Sequence, residues 1–401
     1  MRPTVEPRAA SIAIALAAIA CGACAERETA TAPAPAPAPA ARAAVEEGLE
    51  GALSLVAGPG LIERGAADAG DDWVTVFERE TGCRVALEVV AATDDRVAVL
   101  ARGGVDLVVA PSAAARRLVR ERAVQPLDLE RLPSHANVDE RLARAPWLHA
   151  GGAHYGVPLT WGVHVLLHST EAFRTPPRSW AVVFEPQRLP DGRGNRGRVL
   201  APDDATVVAD AALYLRAKRP ELGIVDPFAL DERQYSAVLE LLRTQHPLVR
   251  GYAAEASAYA QAFTQDGVVA ARAPAAVVER LRASGLAVAG TVPAEGATGW
   301  ADALLLATGA PHPNCAYRFL EWSLNAQVQG ELAARNGAVP AVPAACRLHA
   351  RLGEDGCTRH GADRFDDVAF AGAADPPTCA EGGCVPASRW APDLAEIRAG
   401  R

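Results

Sequence analysis

The stretch "DDWVTVFERETGCRVALEVV", residues 71–90, joins two kinds of hydrophobic period and decides the fold class. Trp73 and Phe77 stand four apart, so both rings fall on one helical face. Asp72 precedes them as an N-cap and Gly82 follows as a stop. From about Val85 to Val90 the apolar residues read as a strand. Upstream, "GALSLVAG" (51–58) reads as a buried strand. Downstream, "DRVAVLARGG" (95–104) reads as a helix and "VDLVVAPS" (105–112) as a strand ending in a turn. Strands alternating with helices at this spacing predict parallel βαβ units. Ligands of such sheets sit beyond the carboxyl ends of the strands. Ser112 and the Gly58-Pro59-Gly60 loop are therefore expected at a cleft.

The chain changes character at "HYGVPLTWGVHVLLHS" (154–169), which reads as a crossover strand between two lobes. Trp161 lies in it and is expected at the cleft. A second α/β section runs from "SWAVVFEP" (179–186) to about Pro293, with helices around 209–218 and 234–243. "VPAEGATGWADALLLAT" (292–308) is the return crossover. Trp300 and Asp302, two apart, share one face of that strand. A buried carboxylate requires a partner, which belongs either to the protein or to a ligand. Lobe 1 is thus expected over 49–157 and 298–401, and lobe 2 over 158–297.

The first residues address compartment. Arg2 and Arg8 supply a positive region ahead of a short apolar run, Ala9 to Ala20, in the pattern of a secretory signal peptide (1–20). The sequence ahead of Cys21 is similar to a bacterial lipobox, which makes Cys21 the lipidated residue; plain cleavage is the alternative, and Cys24 is a nearby competitor. "TATAPAPAPAPAARAA" (29–44) favours polyproline II and reads, within 21–48, as a tether. No later stretch is long and apolar enough for a membrane-spanning helix, so membrane contact is expected only through the lipid. The formal net charge of −8 argues against nucleic acid and mildly favours small cationic partners.

Of the eight cysteines, Cys21 and Cys24 belong to the leader region, which leaves Cys83, Cys315, Cys346, Cys357, Cys379 and Cys384. An even count in an exported chain suggests disulfides. Cys379 and Cys384 flank a short loop, Cys346 and Cys357 can close another, and Cys83 and Cys315 then remain for each other. Six cysteines allow 15 connectivities, and sequence does not choose among them. No CxxC pair or histidine cluster indicates zinc.

Taken together, "WVTVFERETGCRV", "VDLVVAPS", "VQPLDLERLP", "HYGVPLTWG", "SWAVVFEP", "VPAEGATGWADALLLATGAPHPNCAYRFLEWSL" and "NGAVPA" resemble, in order and spacing from about residue 50 to 345, the periplasmic solute-binding proteins of ABC importers. The likeness is greatest to the spermidine/putrescine branch. It implies an α/β, two-lobed type II periplasmic binding-protein fold that closes by a hinge on a solute. The partners it implies are a small cationic, polyamine-like solute and an ABC-transporter permease, met by a monomer in the periplasm or cell envelope. Residue by residue, it carries ligand-binding roles onto Trp300, Asp302, Asp204 and Ser112. Several family positions differ: the aromatic two after the serine is Ala114, the second carboxylate three beyond Asp204 is Val207, and "AGPGLIERG" lacks the usual Trp. Alanine in the stretch Ala271 to Ala273 replaces another Trp, and "NGAVPA" offers no tyrosine. The anchoring acid remains while most of an aromatic cage is gone, which implies a changed or shorter amine ligand. A lipid-anchored sensor or scaffold on the same fold is the alternative reading.

Other constellations carry less. His164 and His168 lie about 13 Å apart along a strand and read as structural. "GRGNRGR" (192–198) lacks the strand–turn–helix context of a phosphate loop. No serine sits in a G-x-S-x-G elbow. No catalytic residue, metal ligand or cofactor is assigned.

Overall fold

A computed structural model describes residues 48–62, 64–65, 72–253, 255–353, 355–372 and 383–400, all within one compact unit, Ala43–Arg401. The signal peptide, Cys21 and all but the end of the proposed tether lie outside the described residues, as does Cys379.

The first section forms as its periodicity requires. Strand β1 (Ala52–Ala57) pairs in parallel with β2 (Arg84–Val89) and with β3 (Leu107–Pro111). Between β1 and β2 runs the helix Trp73–Thr81, whose start is capped by Asp72 accepting from the Thr75 amide at 2.8 Å. It ends at Gly82, whose φ of 75° is left-handed backbone that glycine adopts without steric cost. Trp73 and Phe77 both meet Phe319, at ring separations of 5.4 and 5.0 Å. The one-face reading of that helix is thereby realised in packing.

A short hairpin, β4 (His149–Ala150) with β5 (Ala153–His154), precedes the long strand β6 (Gly156–Ser169). Beyond it, β7 (Val199–Pro202) pairs in parallel with β8 (Val249–Ala253) and with β9 (Ala270–Pro274). β10 (Val288–Thr291) pairs with the end of β6. The return strand β11 (Ala297–Leu306) runs antiparallel between β3 and β6. Two short strands finish the sheet: β12 (Val339–Pro340) on β6, and β13 (Val368–Phe370), parallel to the start of β11. The order is β2-β1-β3-β11-β6-β9-β7-β8, so β6 and β11 join two parallel half-sheets.

Two apolar cores correspond to the halves. One gathers residues from Leu53 to Trp161 and from Ala301 onward, and the other gathers Val163 to Ala297. The expectation that 298–401 returns whole to the first lobe fails at the C-terminus. Val385, Trp390, Leu394 and Ile397 belong to the second core, carried there by the helix Trp390–Arg398. The apolar spacing of that short helix says only that one side is buried; it does not say against which core.

Disulfides join Cys83 to Cys315 and Cys346 to Cys357. Cys384 is also disulfide-bonded. The first bridge spans 232 residues and the second 11. Loop-closure entropy then gives about 5 kcal/mol for the long bridge and about 3 kcal/mol for the short one. Replacing Cys83 and Cys315 by alanine is expected to lower the denaturant midpoint more than replacing Cys346 and Cys357. Equal losses in guanidinium unfolding would show that loop length does not govern these bridges.

Candidate functional site

The antiparallel register of β6 and β11 brings one set of side chains together. Trp300 lies opposite Gly162, and Asp302 opposite Thr160. By strand alternation Thr298, Trp300 and Asp302 share a face with Thr160, Gly162 and His164. The indole lies directly over Gly162: a Cβ there would sit 2.3 Å from Trp300 ring carbons, so only glycine fits beneath it. His164 approaches the same indole at a centroid separation of 5.2 Å.

Asp302 is buried, with 8 % of its surface exposed, and accepts no hydrogen bond from the described residues. Burial pushes its pKa up to about 6, and the charge of Arg96 only partly offsets that. Arg96 is itself committed elsewhere, donating to the carbonyls of Val90 and Ala91 at 2.8 and 2.9 Å and to Thr93 Oγ1 at 2.9 Å. It also approaches Gly58, where a Cβ would meet its Nη1 at 3.0 Å. The loop after β1 and this arginine thus form one flank of the first lobe's strand ends. Ser112, also buried, follows Pro111, the register partner of Asp302. The serine and the carboxylate therefore come from adjacent strand ends.

On the second lobe the charges are matched internally. Arg272, in β9, is almost wholly buried. Its Nη1 lies 2.5 Å from Asp204 Oδ2, and its Nη2 donates to Thr206 Oγ1 at 2.5 Å. Nη2 also reaches Thr298 Oγ1 at 3.2 Å and His164 Nδ1 at 2.9 Å. Nε faces Asp210 Oδ2 at 2.8 Å, a charge contact rather than an aligned hydrogen bond. Asp210, fully buried, uses Oδ1 to accept from the Thr298 amide at 3.1 Å and hydroxyl at 2.8 Å. Asp204, whose side chain is 46 % exposed, also accepts from the Thr206 amide at 2.8 Å and from its hydroxyl. Burial opposes its charge, but Arg272 and Thr206 outweigh burial and lower its pKa. For Asp210 burial prevails and the pKa is raised. His164 Nδ1 also lies 3.1 and 2.8 Å from the carbonyl and hydroxyl oxygens of Thr298; burial and Arg272 hold its pKa well below the usual value, so the ring is neutral.

The profile of a bacterial extracellular solute-binding protein family matches residues 72–350. The chain belongs to this family. Among its relatives, a putrescine/agmatine-binding protein of Pseudomonas aeruginosa is 27 % identical over 271 residues, covering 63 % of this chain and 70 % of the relative. The putrescine-binding periplasmic protein PotF of Escherichia coli is 24 % identical over 298 residues, covering 69 % and 78 %. A solved spermidine/putrescine substrate-binding protein, PotD of Streptococcus pneumoniae, superposes with a TM-score of 0.67 at 13 % identity, over 87 % of this chain and 98 % of that one. The last likeness establishes the two-lobed binding-protein fold.

Within this solute-binding protein the expected site residues do not all converge. Asp302, Trp300 and Ser112 come together at the crossover. Asp204 stands on the second lobe, engaged by Arg272. Trp161, expected at the cleft, lies on the opposite face of β6, packed on Phe365 and Phe370 at 4.9 and 6.1 Å. One residue of register separates it from the site. His164, read from strand spacing as structural, joins the cleft network, whereas His168 is buried as expected. Arg272 was masked by its flanking alanines: the stretch Ala271 to Ala273 reads as a loss of side chain, yet its middle residue places a guanidinium in the network. A signal existed in "VVAARAPAAV" and "VVADAALYL", where one arginine and one aspartate interrupt apolar runs and each requires an opposite charge. Among the described residues no group of three or more His, Cys, Asp or Glu is arranged to hold a metal ion.

An aspartate with a folded pKa of about 6 and an unfolded value near 3.9 binds its proton more tightly when folded. Its contribution is neutral below about pH 3.5, becomes unfavourable as pH rises from about 4 to 6, and levels off at about 3 kcal/mol. Asp302→Asn is therefore expected to stabilise the solute-free protein at pH 7.5 by about 1–3 kcal/mol, and the gain should shrink through pH 5 and vanish near pH 3.5. Thermal unfolding across that range tests it; a destabilised variant at neutral pH would mean that the carboxylate has a partner in the protein.

Proposed function

We propose that this protein captures a small amine-bearing, polyamine-like solute between its lobes and delivers it to an ABC-transporter permease. In this reading it works as a monomer held at the cell envelope by a lipid on Cys21. The observation that carries the proposal is Asp302: a buried carboxylate without a hydrogen-bond donor among the described residues, beside an indole at the lobe junction. Keeping such a charge out of water is unfavourable unless a cation joins it with well-aligned hydrogen bonds. An ammonium supplies those bonds. The Trp300 ring adds cation–π attraction and covers apolar methylenes, each worth about 0.8 kcal/mol. Ser112 is assigned a polar contact from the first lobe, and closure of the lobes removes the pair from solvent. The relatives named for putrescine, agmatine and spermidine support the amine assignment.

Calorimetric titration against diamines, monoamines and amino acids tests the reading. Binding of at least one amine is expected, with loss of detectable affinity in Asp302→Asn and a weakening of at least tenfold in Trp300→Ala. An incoming ammonium lowers the pKa of Asp302, so binding near pH 6 should release about half a proton per site. That release is read from the dependence of the heat on buffer ionisation enthalpy. Unchanged affinity in Asp302→Asn would sink the assignment.

A further inference from the structure

The second lobe presents a different charge balance from the first, and it bears on how many positive charges the solute carries. This step rests on the amine reading above. Along the cleft face the described carboxylates are Asp302 and Asp204, with Asp210 fully buried behind Arg272. The burial of Asp302 is offset only in part, by the charge of Arg96. Asp204 is engaged on both oxygens: one takes both hydrogen bonds of Thr206 and the other takes Arg272 at 2.5 Å. Asp203 is likewise engaged, by Arg398. At position 207 stands a buried valine that packs into the second core. A second ammonium reaching Asp204 would have to share that carboxylate with a guanidinium that is held rigidly by five groups. Like charges at such separations repel strongly where water is excluded.

We propose that the guanidinium of Arg272 occupies the place of a second solute cation, so that the protein selects a small amine with a single ammonium at Asp302 and a neutral or anionic far end. The geometry supports this by saturation: Arg272 meets Asp204, Asp210, Thr206, Thr298 and His164, and none of its three nitrogens lacks a neighbour. His164, a neutral acceptor toward Arg272, adds no charge to the wall. The far end of a bound solute thus faces a carboxylate whose two oxygens are already engaged by Arg272 and Thr206 rather than a free one.

The test is a matched four-carbon set titrated into the intact protein at pH 7.5: 1,4-diaminobutane, N-acetyl-1,4-diaminobutane and 4-aminobutanoate. At least one singly ammonium-bearing member should bind tenfold or more tightly than the diamine. If the diamine binds as tightly as both, the inference falls while the amine reading stands. If no member of this set or of the wider amine panel binds, the amine reading falls and takes the inference with it. Arg272→Gln, checked for folding by its thermal transition, should shift the ratio at least tenfold toward the diamine, because Asp204 is then released. A folded variant with an unchanged ratio would overturn the proposal; if the variant does not fold, the wild-type ratio decides.

Discussion

Strands β6 and β11 run antiparallel through the junction of the two cores, and their register determines which side chains a solute can meet. The pairing of Trp300 with Gly162 and of Asp302 with Thr160 places indole and carboxylate on one face. A slip of one residue would exchange them for Trp161, Val163 and Ala301, and expose the core instead. Gly162 secures the register sterically, since no larger residue fits beneath the indole. The pairing of β11 with β3 shifts the same constraint outward, bringing Pro111 and hence Ser112 beside Asp302. Lobe junction and site are built by the same hydrogen-bonded ladder.

Two buried carboxylates near that ladder are handled in opposite ways. Asp210 is locked by Arg272 and Thr298, and removing the guanidinium would leave its buried charge without a counter-ion. Among the described residues, the charge that offsets burial at Asp302 is that of Arg96, whose terminal nitrogens donate to backbone carbonyls and Thr93. The first arrangement holds the second lobe's strands and helix against the crossover. The second leaves electrostatic free energy unrelieved in the solute-free protein, and a cation relieves it. In the proposed binding mode, binding strength at Asp302 and instability of the empty site thus have one cause.

Much of this was legible in the sequence because periodicity and end signals report local structure directly. The helix Trp73–Thr81, its Asp72 cap and its Gly82 stop follow from spacing alone, as do the parallel strands around it. Trp300 and Asp302 follow from their two-residue interval. What was not legible depended on pairing across long sequence distances. Trp161 and Gly162 differ by one position, and only the partner strand tells which of them faces the cleft. Arg272 and Asp204 are 68 residues apart, and no local pattern links them. The C-terminal helix chooses the second core over the first for reasons of surface fit that its own apolar spacing does not encode.

The rear face of the crossover is packed differently from the front. Trp161 meets Phe365 and Phe370, and Gly299 lies so close to Val368 that a Cβ would clash at 2.4 Å. β13 adds backbone pairing to β11 at Ala297–Gly299, and Phe370 anchors the same strand in the first core. That face packs mainly through aromatic and aliphatic contacts. The opposite face holds the indole, the Asp302 carboxylate and the Arg272 network. Because β6 and β11 are shared by both lobes, any change in the angle between the lobes must bend this same pair of strands, and so must alter the surroundings of Asp302. In the proposed mode, capture of a cation and movement of the lobes are therefore coupled through a few residues of backbone, 160–164 and 298–302, rather than through a chain of side chains.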